Sequence, residues 1–364
     1  MVYDVVIVGA GASGIGCGVV LRDLGIDRFL ILDRHHTGAS FDHWPEEMRF
    51  ITPSFTSNPF SLLDLNAVCL NTSPAFTLQV EHPTGRQFAS YLRGVQQHFN
   101  LPVKRNVEVH RVEPQEPGFR LHTSKGRIRT RFVIWATGEF QFPDLKPFPG
   151  AELCIHTSKV ARWSDVQGDE ALIVGGYESG ADAAAHLCAQ GKRVTLLDGG
   201  APWESRESDP SIALSPYTRE RLAANTVHLV RDAHICRVAR INDGYEATAL
   251  SGKIWRCPQK PFLATGFRGG LSQIEELFAW RRDGTVVLTE SDESTRTPGL
   301  FVAGPQLRHK KVIFCFIYKF RQRFAVVGRS IAERLDVSLA PLERYRAEGM
   351  LLDDLTCCKK ECAC

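Results

Sequence analysis

The stretch VYDVVIVGAGASG, residues 2–14, runs an apolar segment straight into three glycines at positions 9, 11 and 14. A short apolar run of this kind reads as a strand buried on both faces. ASGIGCGVVLRDLG, residues 12–25, then has helical length, and FLILD, residues 29–33, is a second apolar strand. The whole is a strand-helix-strand unit. Each glycine in the turn meets its own steric demand: Gly9 the tight reversal, Gly11 the approach of a pyrophosphate to the backbone, Gly14 the packing of helix on strand. The helix, with Ser13 in its first turn, aims its amides and dipole at phosphate charge. Asp33 closes the second strand, where a carboxylate accepts hydrogen bonds from a ribose diol.

A second unit appears at residues 170–198, as EALIVGG, YESGADAAAHLCAQG and RVTLLD. Its turn is Gly175-Gly176-Tyr177-Glu178-Ser179-Gly180, with Tyr177 in the place of the middle glycine, where a side chain crowds a pyrophosphate. Asp198 ends the next strand and would repel a 2′-phosphate, favouring NADH over NADPH unless Arg193 or Arg206 outweighs it. Two such units predict an α/β fold with two Rossmann-like dinucleotide-binding domains.

The bulk properties agree with an ordinary globular enzyme. At 364 residues, 43% of them apolar, the chain exceeds what one core usually supports, so two interlocked domains are expected. A formal charge of +3 over 44 basic and 41 acidic residues leaves no single-sign block, which argues against nucleic acid or a membrane surface as partner. No apolar run approaches the roughly 18 to 20 residues of a spanning helix. The start lacks the basic and small-residue pattern of a secretory leader. The expectation is a soluble, cytoplasmic chain beginning at Met1. Of 11 cysteines, seven are scattered singly in apolar contexts, which suits a reducing compartment. Cys69, Cys154, Cys188, Cys236, Cys257 and Cys315 read as small buried hydrophobes. Cys17 stands one turn into the first helix, where a helix dipole lowers a thiol pKa.

Three features carry a family resemblance: the first glycine turn, Ala136-Thr137-Gly138 ending TRFVIWATG (130–138), and Ala264-Thr265-Gly266 within PFLATGF (261–267). Together they resemble the two-dinucleotide-binding-domain flavoproteins and, within them, the flavin-containing monooxygenases. The likeness spans about residues 1–335. It implies FAD held by Gly9, Gly11, Ser13, Gly14, Asp33, Trp44, Thr137, Gly138 and Gly304. It implies NADH or NADPH held by Gly175, Gly176, Glu178, Ser179, Gly180 and Asp198. The implied division is an FAD domain at 1–156 and 287–340, an inserted NAD(P)H domain at 157–286, and a tail at 341–364. FPGAELCIH, residues 148–156, resembles the monooxygenase FxGxxxH fingerprint with two extra residues before His156; a loop histidine bonded to nearby backbone is the other reading. GLFVAGP, residues 299–305, resembles the late FAD segment, with Pro305 where an acid usually follows the glycine. Some similar bacterial flavoproteins, described as monooxygenases or as linked to cation efflux, share a cysteine-rich end.

In such proteins the flavin carries the electron transfer and the polypeptide decides what meets it. As a monooxygenase the protein would meet O2 and a small substrate through a peroxyflavin, in a dry pocket. Trp44 and Asn58, with Phe55 and Phe60, are the candidates for its wall, against an ordinary packed loop. Lys319, Arg321 and Arg323, on a helix expected over Ile313–Leu335, would set positive charge near the flavin, against a solvated basic face. As a thiol or metal-ion reductase the protein would pass electrons through cysteines, yet no CxxC occurs before the tail. The chain ends CCKKECAC, so Cys357, Cys358, Cys362 and Cys364 put four soft ligands on a short segment. Capture of a thiophilic metal ion, a redox relay to a partner protein, and a bystander cluster all stay open. A redox sensor without turnover is a third class.

Overall fold

The computed structural model describes residues 2–55, 63–207, 209 and 211–356. Asn58, Phe60 and the four terminal cysteines lie outside the described residues. Two main sheets are seen among those described. In the first, β1 (Val2–Val8), β2 (Phe29–Leu32) and β3 (Val103–Lys104) run parallel, and β4 (Val109–Pro114), β5 (Phe119–Thr123) and β6 (Gly126–Trp135) fold back as a meander. The spatial order is β3-β2-β1-β6-β5-β4.

β6 serves two purposes along its length. Its exposed first half pairs antiparallel with β5, whereas its buried end, Val133 to Trp135, lies parallel between β1 and the late strand at Leu300–Val302. The chain therefore returns to its first sheet after a long excursion. That excursion holds a parallel sheet built from β7 (Ile155–His156), β8 (Glu170–Val174), β9 (Arg193–Leu197), β10 (His228–Val230) and β14 (Phe262–Leu263), ordered β10-β9-β8-β14-β7. A three-stranded meander, β11 (Ile235–Ile241), β12 (Gly244–Ala249) and β13 (Ile254–Cys257), packs against it. This is the doubly wound α/β architecture the two glycine turns anticipate. The late strand is numbered β15.

Helix α1 (Ala12–Asp23) is buried from Ala12 to Leu21, as the small and apolar sequence of that stretch requires. α2 (Gly85–His98) starts at a capping box in which the Thr84 hydroxyl accepts from the Gln87 amide and the Gln87 side chain accepts from the Thr84 amide. In the second unit α3 (Glu178–Ala189) follows the second turn and packs on α4 (Pro216–Ala223).

The single helix expected over Ile313–Leu335 is broken. The structure has α5 (Ile317–Phe320), a 3₁₀ turn at Arg321–Arg323, and α6 (Phe324–Leu335). The arginines explain the break, because they are buried and their terminal nitrogens hold backbone and carboxylate oxygens from distant segments. Arg321 donates to the carbonyls of Leu63, Asp64 and Ala67. Arg323, 1% exposed, grips the 0% exposed Asp292 carboxylate at 3.0 and 2.9 Å, and donates to the carbonyls of Glu290 and Leu352. His309 meets the same carboxylate at 2.5 Å. Neither a solvated basic face nor charge free to meet a flavin describes them. α6 packs on α1 where Gly16 admits the Phe324 ring and Gly328 admits Val20.

Beyond α6 the chain stays packed through α7 (Leu342–Ala347): Leu342, Tyr345, Met350 and Leu351 are buried against the first core, and the Tyr345 hydroxyl donates to Asp23. Arg346 and Arg329 hold the Asp353 carboxyl well below the usual carboxylate range.

Replacing Asp292 by Ala leaves the Arg323 charge buried without its partner, so stability should fall by about 3–5 kcal/mol, measured by chemical denaturation. A loss under about 1 kcal/mol, the range of a surface pair, would show that the pair does not anchor the C-terminal segment.

Candidate functional site

At the first turn Gly9 has φ +109, and a β-carbon built on it would lie 2.4 Å from the Ala136 carbonyl oxygen. A β-carbon on Gly14 would lie 1.8 Å from the Gly9 carbonyl oxygen. Both positions exclude any side chain. Gly11 differs: its β-carbon would meet nothing within 4 Å. The space above it is open to the amino end of α1, which has no side-chain cap and no acid in its first turn. Unpaired amides and a positive dipole end therefore face that space.

Asp33 orders the edge of the site, one carboxylate oxygen accepting from the Ala10 amide at 2.8 Å and the other from the His35 amide at 2.7 Å. Each oxygen keeps a lone pair for a ribose hydroxyl. Beside it lies a cleft lined by Gly9, Asp33, Arg34, Val107, Glu108 and Thr137 among others. The Thr137 hydroxyl is buried there without a hydrogen-bond partner, which is the state of a polar group that awaits a ligand. On the opposite side Gly304, with φ +117, brings the late loop against Ser13, where a β-carbon would lie 2.6 Å from the Ser13 hydroxyl. Gly138, at φ +66, borders open space. Open cradle, uncapped helix and orphaned hydroxyl together fit a dinucleotide. Arg34 and Glu108 went unnoticed in the sequence, because nothing local distinguishes them from any surface charge.

The second turn repeats this geometry. Gly175 has φ +104, its β-carbon would lie 2.3 Å from the Ala264 carbonyl oxygen, and that of Gly180 would lie 1.8 Å from the Gly175 carbonyl oxygen. Asp198 accepts from the Gly176 amide at 2.7 Å, and from the amides of Gly200 and Ala201 at 2.6 and 3.0 Å. Ser179 sits half-buried in the first turn of α3. Glu178 turns away from the open side to the start of α4, where it accepts from the Ser215 amide and the Thr218 hydroxyl, both at 2.5 Å. Burial pushes its carboxyl above the usual range, against those hydrogen bonds. Arg193 opens β9 and pairs with Glu170, whereas Asp198 directly follows the far end of that strand. It stands at the wrong end to meet a 2′-phosphate.

Trp44 belongs to an aromatic cluster with Phe41 and Phe50, at ring distances of 5.3 and 4.9 Å. The cluster continues through Phe140 and Phe267 to His156, bridging the two sheets. His156 ends β7, buried, with its ring nitrogens on the Gly266 carbonyl and the Ser158 hydroxyl. Burial lowers its pKa, so it holds these contacts as a neutral imidazole. Burial also decides the cysteines. It pushes the Cys17 thiol far up, with the Asp292 charge adding to it, so the expected activation by the helix dipole loses. Cys69 and Cys154 are pushed up to about 12 and Cys257 to about 11 by the same cause.

The fold and its paired turns define the class, a two-dinucleotide-binding-domain oxidoreductase. The chain belongs to the pyridine nucleotide-disulphide oxidoreductase family, matched over residues 6–304, a family that uses FAD and NAD(P)H. It is 27% identical to the uncharacterized oxidoreductase CzcO-like of Geobacillus kaustophilus over 54% of this chain and 55% of that one. The chain thus spans about half the length of the first curated relatives it matches. It is 25% identical to the bacilliredoxin reductase Bdr of Bacillus subtilis over 90% of this chain and 97% of that one. The flavin-containing monooxygenase of Stenotrophomonas maltophilia shares the fold, with a TM-score of 0.70 at 20% identity, covering 92% of this chain and all of that one (100%).

Gly11→Ala should fold with unchanged thermal stability, because its methyl group meets nothing, yet retain less flavin, read from the visible absorption of the purified protein. Gly14→Ala should lose the fold itself, since its methyl group has no room beside the Gly9 carbonyl. Equal flavin retention by Gly11→Ala and the unaltered protein would remove this turn from the cofactor site.

Proposed function

We propose that the protein is a flavoprotein monooxygenase that oxidises NAD(P)H and oxygenates a small substrate with O2. In this reading FAD occupies the domain formed by residues 1–156 and 287–340, NAD(P)H the inserted domain at 157–286, and residues 341–364 form an appendage. When bound, the flavin supplies hydride acceptance and the reaction with oxygen. The chain positions and shields. The α1 amides and Gly11 hold the pyrophosphate of FAD, Asp33 its ribose, and Ser13, Thr137, Gly138 and Gly304 the remainder. Gly175, Gly176, Ser179, Gly180 and Asp198 order the nicotinamide nucleotide at α3, and Glu178 fixes α4 beside it. Trp44, Phe50, Phe140 and Phe267 keep water from the space between the two sheets. Asn58, a further candidate wall residue, lies outside the described residues.

The observation that carries the oxygenase reading is the state of the body thiols. Among the described residues every cysteine is free, none stands in a CxxC, and Cys17, Cys69, Cys154, Cys257 and Cys315 all have raised pKa values through burial. A disulfide reductase needs a thiolate near the flavin. The second reading, a thiol or thiophilic metal-ion reductase working through Cys357, Cys358, Cys362 and Cys364, is favoured by the nearly end-to-end similarity to bacilliredoxin reductase.

Anaerobic mixing with NADH or NADPH should bleach the flavin, with NADH at least as effective because Asp198 repels a 2′-phosphate. Strong preference for NADPH would point to an arginine, Arg206 being the candidate, that outweighs this carboxylate. The variant with all four tail cysteines replaced by serine should keep NAD(P)H-dependent oxygen consumption and product formation. Loss of that turnover, with flavin bound and still reducible, would overturn the oxygenase reading in favour of the reductase.

A further inference from the structure

The two glycine turns share their backbone contacts and differ most at the middle position, Gly11 in one and Tyr177 in the other. The glycine pairs 9 and 175, and 14 and 180, make the same backbone contacts, and Asp33 and Asp198 accept from the amides of Ala10 and Gly176. The helix-capping residues also match, Gly11 at φ −84 and ψ −165, Tyr177 at φ −75 and ψ −171. The Cα–Cβ bond of Tyr177 therefore leaves the second turn in the direction that is open space above Gly11. A tyrosine side chain fills what a pyrophosphate needs.

The ring is neither core nor cap. It is 50% exposed, makes no capping hydrogen bond, and reaches the Ile212 carbonyl through its hydroxyl at 3.5 Å, the outer limit of a hydrogen bond. Ile212 lies in a segment tied down on both sides. Ser211 accepts from Lys319 at 2.8 Å and from the Cys315 thiol at 3.2 Å, both residues of the first unit, while Ser215 meets Glu178 at the start of α3. Lys319 also pairs with Asp209 at 2.7 Å. The segment is held at several points, whereas the half-exposed ring is held only through its hydroxyl.

We propose that Tyr177 is a self-occluding plug of the pyridine-nucleotide site, occupying the pyrophosphate position in the resting protein and swinging off Ile212 when a dinucleotide binds. This rests on the assignment of the second turn to NAD(P)H. It makes Tyr177 a specificity-determining residue that penalises ligands with a full pyrophosphate over mononucleotides. If the open ring conformer is populated at about one part in ten, the apparent dissociation constant of a dinucleotide is raised about tenfold, because only that fraction binds.

The test is calorimetric titration of the FAD-loaded protein with ADP-ribose and with AMP. In Tyr177→Gly, and in Tyr177→Ala as a second variant without glycine's freedom, ADP-ribose should bind about tenfold more tightly while AMP is unchanged, since only the former carries the full pyrophosphate. Tyr177→Phe, which keeps the ring and loses the hydroxyl, should behave as the unaltered protein. Equal or weaker ADP-ribose binding by the glycine and alanine variants overturns the plug alone, as does a phenylalanine variant that gains affinity like glycine. No binding of ADP-ribose or NADH by any of the proteins overturns both the plug and the nucleotide assignment beneath it.

Discussion

A carbonyl oxygen with no room for a methyl group beside it governs both halves of this molecule. The Gly9 oxygen faces Gly14, and the Gly175 oxygen faces Gly180, each 1.8 Å from where a β-carbon would stand. That crowding lets each helix start directly off its strand, with its amino end over the edge of the sheet. The crossing strands complete the arrangement from behind, because Gly9 and Gly175 rest on the carbonyls of Ala136 and Ala264 in the same way. The placement of each helix on its strand is thus set by backbone contacts, and side chains adjust what the backbone has already placed.

The return of the chain to its first sheet depends on a different interaction, the buried ion pair of Arg323 and Asp292. A guanidinium with several donors in a fixed fork can satisfy a carboxylate and two carbonyls at once, which a lysine in its place cannot. It joins the loop before β15, the α5–α6 junction and the C-terminal segment. Arg321 does the same for the carbonyls of Leu63, Asp64 and Ala67 beside the aromatic loop. The bond from Arg323 to the Leu352 carbonyl also holds the chain to the body shortly before the cysteine-rich end.

Contacts between the two units are polar and aromatic, as expected where surfaces must work against one another without fusing into one core. Glu47 accepts from the amides of Trp163 and Ser164, His82 stacks on Tyr217 at 3.9 Å, and Lys319 reaches Asp209. Together with the chain of rings from Trp44 to His156, these tie the nucleotide unit to the loops around the first turn. Ser211 and Ser215 lie on one segment that meets both Lys319 and Glu178.

What the sequence determined is the local, steric part. Gly9, Gly11, Gly14, Asp33 and their counterparts at 175–180 and 198 act within one strand-helix-strand unit, so spacing alone reveals the two units and the class. Only the tertiary structure decided what depends on partners far along the chain. Arg321 and Arg323 look like interruptions of a helix until the carbonyls and carboxylate they satisfy are in place. Cys17 looks activated by a helix dipole until burial outweighs it. Trp44 meets the ring of Phe140, nearly a hundred residues away, and Glu178 leaves its own turn for a neighbouring helix. Short-range sterics are written into adjacent residues, whereas burial and long-range hydrogen bonding exist only once the chain has folded.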